Sequence, residues 1–255
     1  MITLSHLCKS FGEKKAVDDL TLEINPGEIL GFLGPNGAGK TTTVKMLTGM
    51  YAPTSGTATV AGIDVVQEPV EVKKRIGYVP ENGALFESLS AWEYLEMVSE
   101  LHHLEPQSAA LRREEFLSLF GLYDDKDQLL SHYSKGMKQK VLLISAFLHN
   151  PDVLFLDEPL AGVDANAAII IKELLKKISQ QGKTIMFCSH ILEVVERICT
   201  RITIIHEGKL LVSGNSDEIM QQTGQPTLEK AFNHLTGNRD VRQSTDDFLQ
   251  VLERI

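Results

Sequence analysis

Short runs of β-branched and aliphatic residues alternate along this chain with longer stretches whose apolar positions recur every three or four residues. That alternation predicts an α/β fold built on a sheet. Strands are expected at 3–7, 20–24, 29–33, 57–60, 75–79, 153–157, 184–189, 202–205 and 209–212. Several of these are apolar throughout, as parallel strands covered on both faces would be. Between 91 and 150 no strand is expected. Helical patterns such as AWEYLEMVSELHHL and SAALRREEFLSLFGL fill the interval, which reads as a helical unit inserted into the sheet. From Ser216 onward two or three amphipathic helices are predicted, interrupted by Gly224, Pro226 and Gly237.

Composition narrows the class. The 255 residues are 43% hydrophobic and 23% charged, enough for a substantial core. No run approaches the roughly 18–20 apolar residues of a membrane-spanning helix. The opening MITLSHLCKSFGEKK has no secretory pattern, so a soluble chain that stays in the cytoplasm is expected. Cys8, Cys188 and Cys199 are too scattered for a disulfide framework or a zinc site, and they read as small apolar residues. A net charge of −9 disfavours a nucleic-acid partner, since phosphate contacts need clustered positive charge. Lys135, Lys138 and Lys140 form a local basic run, of which Lys138 and Lys140 read as a solvated helix face. His102 and His103 are adjacent and point apart on a helix, which makes them a poor metal pair.

The chemistry begins at residues 34–41. Gly34, Pro35, Asn36, Gly37, Ala38, Gly39, Lys40 and Thr41 match the phosphate-cradling pattern G-x-x-x-x-G-K-[ST], and Thr42 follows. An apolar strand leads in and a helix-compatible run leads out, as the pattern requires. Glycines allow backbone N–H groups to turn toward phosphate oxygens, and the helix N-terminus adds positive potential. Lys40 is placed to bridge the β- and γ-phosphates, and the Thr41 hydroxyl to ligate Mg²⁺. Farther on, an apolar strand ends in Asp157 and Glu158. Acids at a strand end often do no more than meet solvent. With a phosphate loop in the same chain, Asp157 becomes a metal ligand and Glu158 a general base for the attacking water.

Further short motifs then fall into an order that resembles the nucleotide-binding domain of ABC transporters, from about residue 2 to about 214. Phe11 stands where that family stacks an aromatic ring on adenine. Residues 76–81, IGYVPE, take the place of the Q-loop, with Glu81 where glutamine is usual. Residues 133–139, YSKGMKQ, take the place of the signature LSGGQ, keeping Ser134 and Gly136. Residues 161–164 resemble the D-loop, and Ser189-His190 the switch histidine, with His190 on the γ-phosphate. The resemblance implies a P-loop NTPase core with a mixed sheet, an antiparallel β subdomain and a helical subdomain inserted at about 82–150. A helical tail would then occupy 215–255.

It also implies an ATPase using ATP and Mg²⁺, in which catalysis falls to Glu158 and His190, metal binding to Thr41, Glu81 and Asp157, and Ser134 and Gly136 act on nucleotide across a head-to-tail dimer or paired cassette. The variant signature and Pro80-Glu81 are similar to ATPases of bacterial exporters. A separate integral membrane permease subunit would be the partner, holding this chain at the cytoplasmic face of the membrane. Part of the apolar set Leu85, Phe86, Leu89 and Trp92 would line its docking groove. Two readings outside transport remain: a soluble ABC-type ATPase and an ATP-sensing module. A GTPase-like switch fits less well, because no Asn-Lys-x-Asp run occurs.

Overall fold

The computed structural model describes residues 1–237. In chain order it runs β1 (Ile2–Phe11), β2 (Lys14–Ile24), β3 (Ile29–Leu33), α1 (Lys40–Leu47), β4 (Ser55–Val60), β5 (Ile63–Asp64), α2 (Pro69–Arg75) and β6 (Ile76–Val79). Three helices follow, α3 (Ala91–Leu101), α4 (Pro106–Leu119) and α5 (Lys135–Phe147). The sheet then resumes with β7 (Val153–Asp157), α6 (Ala165–Gln180), β8 (Thr184–Cys188), α7 (Leu192–Ile198), β9 (Arg201–His206) and β10 (Lys209–Gly214), before α8 (Ser216–Thr223) and α9 (Leu228–Thr236).

The strands form two sheets. The larger has the order β10-β9-β3-β8-β7-β6, parallel from β9 to β6 and closed by antiparallel β10. The smaller, β2-β1-β4-β5, is antiparallel throughout. Every residue of β3, β7 and β8 is buried, which explains why their sequences do not alternate. Four neighbouring parallel strands, β3, β8, β7 and β6, thus deliver their C-terminal ends to one edge, where α/β sheets bind ligands.

Two apolar clusters sit on opposite sides of this sheet. One joins Leu33, Leu154, Leu156 and Phe187 to the three inserted helices and to Ile219, Leu228 and Ala231 of α8 and α9. The other joins Phe32, Phe155 and Met186 to α1 and the antiparallel sheet. Helix α5 carries much of the first, burying Val141, Leu142, Leu143, Ile144 and Phe147, each worth about 1.5–3 kcal/mol when removed from water. The described tail helices are therefore part of the main core.

The expected strands are present with shifted ends. Strands β1 and β2 are longer than their apolar runs because bulges interrupt them, and His6 and Asp19 at those bulges have φ of 50° and 58°. Arg75, expected at the start of a strand, instead ends α2, whose Pro69 at the first helical position gives a favourable start. The ends of the tail helices fall at Gly224 and Gly237, both left-handed, as glycine permits. What was expected beyond Gly237 lies outside the described residues. No described helix is long and apolar enough to cross a membrane.

Candidate nucleotide site

The edge formed by β3, β6, β7 and β8 opens into a cleft of about 730 Å³. Residues 34–37 and 39–42 line it, with Phe11 at one end and Glu81, Asp157, Glu158 and His190 facing the loop. Sequence reading separated these residues by up to 179 positions, and the strand order brings them together. Ala38 is the exception within the loop. It is buried at 2% exposure, and its N–H donates to the Pro35 carbonyl, closing the turn.

Helix α1 begins on this loop without a side-chain cap. Gly39 precedes it at φ 105°, and a Cβ there would lie 2.4 Å from the Ala16 carbonyl oxygen, so only glycine fits. The first N–H groups of α1 are left for a ligand, which is the arrangement an anion seeks. Lys40 Nζ donates to the carbonyls of Gly34 (2.6 Å) and Pro35 (3.1 Å), which holds the cation over the loop.

The acids are held differently. Thr41 Oγ1 donates to Asp157 Oδ2 at 3.2 Å. Burial pushes the Asp157 carboxyl up to about 6; the Thr41 hydrogen bond opposes the rise, while the nearby Glu81 and Glu158 add to it. A buried carboxylate with acid neighbours is short of positive charge. Glu158 leaves the end of β7 at φ 50°, a strained conformation for this residue type. Its Oε1 accepts from His190 N (2.7 Å) and lies 2.8 Å from His190 Nδ1, and its Oε2 accepts from Ser189 Oγ at 3.2 Å. The glutamate is nearly buried and the histidine ring largely exposed, and both line the cleft wall.

Ser134 and Gly136 lie outside the cleft, at the start of α5. Ser134 Oγ accepts from Met137 N at 3.2 Å and caps the helix. Gly136 packs on the segment after Glu158, where a Cβ would come within 2.4 Å of the Gly162 carbonyl oxygen. Two expectations nearby are corrected. Lys140 is not a solvated residue: its Nζ lies 2.8 Å from Asp164 Oδ2 and its side chain is 15% exposed. Lys138 pairs with Glu87 at 2.5 Å. Both charges are used inside the chain, joining α5 to the 161–164 segment and to the loop after β6. Of the proposed docking set, Phe86 is exposed, whereas Leu85 and Trp92 pack against the core, Trp92 under the Arg113 guanidinium at 4.6 Å. His102 does not pair with His103 but stacks on His149, with ring centroids 3.7 Å apart.

Sequence reading missed several cleft residues. Phe232 of α9 and Leu192 of α7 line it, 42 and 2 positions beyond His190, and neither belongs to a motif. A clue lay only in the amphipathic pattern of the tail, which buries Leu228 and Ala231 and turns Phe232 toward the sheet edge.

Comparison with known proteins agrees with this geometry. A family model described as ABC transporter matches residues 17–161. The chain is 36% identical over 238 residues to the ABC transporter ATP-binding protein NatA of Bacillus subtilis, covering 91% of this chain and 96% of that one. It is 36% identical to the daunorubicin resistance ATP-binding protein DrrA3 of Streptomyces coeruleorubidus, over 89% of this chain and 72% of the relative. A solved ATP-binding subunit of an ABC transporter superposes with a TM-score of 0.87 at 30% identity, covering 92% and 99% of the two chains. A glycine-rich loop of the phosphate-binding pattern, acids from two further strands and a histidine from a fourth, on a chain that matches NatA and the solved subunit nearly end to end, leave one conclusion: the protein belongs to the ABC transporter family, as an ATP-binding subunit.

Proposed function

We propose that this subunit hydrolyses MgATP to ADP and phosphate within a head-to-tail dimer, and that the cycle drives export through a separate membrane subunit. The observation that carries the hydrolytic reading is Glu158. Its carboxylate sits at the cleft wall beside the metal-ligand candidates and is held by Ser189 and His190. In this role it orients and deprotonates the water that attacks the γ-phosphorus, while His190 turns from Glu158 to the γ-phosphate.

The residues also fit a magnesium ion. Thr41, Asp157 and Glu81 offer only hard oxygen donors, and the buried Asp157 is short of a cation. Bound there with phosphate oxygens, the ion would neutralise charge on the β- and γ-phosphates. Around it Lys40 and the loop N–H groups fix the triphosphate, and Phe11 stacks on the base.

Support for a dimer comes from the signature end of α5, which lies outside the lining of the chain's own cleft. A solved bacterial ABC transporter cassette described as dimeric has a TM-score of 0.78 and 25% identity to this chain. Support for export comes from relatives named for daunorubicin and linearmycin resistance. The partner would be an integral membrane permease that holds this chain at the cytoplasmic face. The catalytic unit would take in residues 1–214 with the insert at about 82–150, and it would draw α9 of the 215–255 tail into the cleft wall through Phe232.

The test is Glu158→Gln. It keeps the shape and removes the base, so phosphate release should fall by about 10²–10⁴-fold. ATP binding should persist, and gel filtration with MgATP should show a trapped dimer. Turnover near the wild-type rate would overturn the role of Glu158.

A further inference from the structure

The ring of Phe11 is exposed enough to meet a base, and two neighbours pack against it. Tyr51 touches it edge to face, with centroids 5.7 Å apart and planes at 74°. Lys9 Nζ lies 5.2 Å from the Phe11 centroid and 5.8 Å from that of Tyr51, and it donates to the Ala52 carbonyl at 2.7 Å. Lys45 Nζ sits 5.4 Å from the Tyr51 ring. The backbones are joined as well: Thr54 N donates to Cys8 O at 2.8 Å, and Ser10 N to Thr54 Oγ1 at 3.0 Å.

Tyr51 itself belongs to the far end of the helix that starts on the phosphate loop. Gly49 reverses the chain at φ 68° after α1, and Met50 N and Tyr51 N both donate to Lys45 O, at 2.9 and 3.0 Å. Eight residues of α1 span about 12 Å. One rigid element therefore has phosphate ligands at its N-terminus and, just beyond its C-terminus, the aromatic edge that sets the plane of Phe11.

We propose that Tyr51, clamped by Lys9, is a positioning residue for base recognition, holding Phe11 in the one orientation that lets a nucleotide reach both the phosphate loop and the ring. An edge-to-face aromatic pair has a preferred geometry, and a lysine shared by both rings resists their separation. Without Tyr51 the Phe11 ring, at the turn between β1 and β2, gains rotational freedom that binding must then remove. The contribution is to affinity for the base, and the phosphate cradle does not need it. This inference rests on the reading of Phe11 as the base-stacking residue, and its test separates the two.

Binding of ATP and of inorganic tripolyphosphate is measured by calorimetry on the full chain and on Phe11→Ala, Tyr51→Ala and Tyr51→Phe. Tripolyphosphate carries the charge of the nucleotide tail and no base. Tyr51→Ala is expected to weaken ATP binding about threefold to tenfold, the size of one lost aromatic pair. It should leave tripolyphosphate within twofold of wild type, and Tyr51→Phe should restore ATP affinity because the contact needs only the ring. In steady state the loss should appear in KM, with kcat kept. If Phe11→Ala weakens ATP selectively while Tyr51→Ala binds it like wild type, the role of Tyr51 is refuted and that of Phe11 stands. Equal loss of both ligands in Tyr51→Ala also overturns the proposal, since the damage would then be to α1. If Phe11→Ala leaves ATP affinity intact, the stacking reading falls and takes this inference with it.

Discussion

Helices α1 and α5 both begin at glycine-bearing motifs, and their first turns are finished in opposite ways. Helix α1 starts at Gly39 with no side-chain cap, and its lysine rests on loop carbonyls. Helix α5 starts at Ser134, which caps Met137 N, and two of its three lysines, Lys138 and Lys140, are paired with Glu87 and Asp164. The first is incomplete without an anion. The second is partly satisfied within its own chain, and the Ser134 hydroxyl still has a proton to donate while its oxygen caps the helix. The difference teaches that a helix N-terminus is no single kind of site: in the proposed dimer α1 would be the primary cradle, and α5 a second jaw brought to an occupied one.

The sharpest way to break this contrast is to join the two ends. In the proposed dimer a disulfide between Ser134→Cys of one chain and Asn36→Cys of another should form only with ATP present. Asn36 is preferred to Gly37, whose φ of 81° disfavours a side chain. Non-reducing electrophoresis reads the result, and a crosslink within one chain would sink the head-to-tail arrangement. Next in size, Lys40→Ala removes the cation of the primary cradle. ATP affinity should drop about tenfold to a hundredfold by calorimetry, the magnitude of a charge-assisted bond to phosphate. Gly136→Ala should leave single-chain ATP affinity alone. It must displace the Gly162 carbonyl, so urea unfolding should report a loss of about 1–3 kcal/mol.

The last effect lies just past the other end of α5 and is spread along the pH scale. Burial and the stacked His102 push His149 down to about 4, from an ordinary 6.5, while its Nε2 meets the Ile76 carbonyl at 2.8 Å. The folded value lies below the unfolded one, so unfolded chains bind more protons in between. Stability should hold above pH 6.5 and fall as the pH drops toward 4, by at most about 1.4 kcal/mol per pH unit from this group. His149→Gln can keep a bond to Ile76, and chemical denaturation at several pH values should show a flatter profile. An unchanged slope would show that His149 does not titrate in this way.

How much of this was legible depended on whether the signal was local. The phosphate loop needs its glycines, lysine and hydroxyl in consecutive positions between a strand and a helix, so residues 34–41 announced it. The burial of Val153–Asp157 on both faces likewise wrote itself as an apolar run ending in acids. Lys138 and Lys140 misled because a lysine on a helix looks the same whether it faces water or a carboxylate 51 or 24 residues away. Tyr51, Leu192 and Phe232 were invisible for a related reason. They carry no special chemistry, and only the paths of α7 and α9 bring Leu192 and Phe232 to the cleft, while the turn after α1 sets Tyr51 against Phe11. Strand β1 ran past its apolar stretch because bulges at His6 and Asp19 break the two-residue period that would have marked it.

The bond network around Glu158 has a consequence for the economy of the cell. Two donors, the backbone N–H of His190 and the hydroxyl of Ser189, hold one oxygen each, and the His190 ring nitrogen lies 2.8 Å from the first. A carboxylate offers about four such sites. With two of them taken and the His190 ring against the first oxygen, a water molecule is left little approach from that side, and in the proposed scheme His190 is drawn away only when a γ-phosphate attracts it. Copies made in excess of the membrane partner would then idle with little nucleotide leakage, and the two components need not be synthesised in strict proportion.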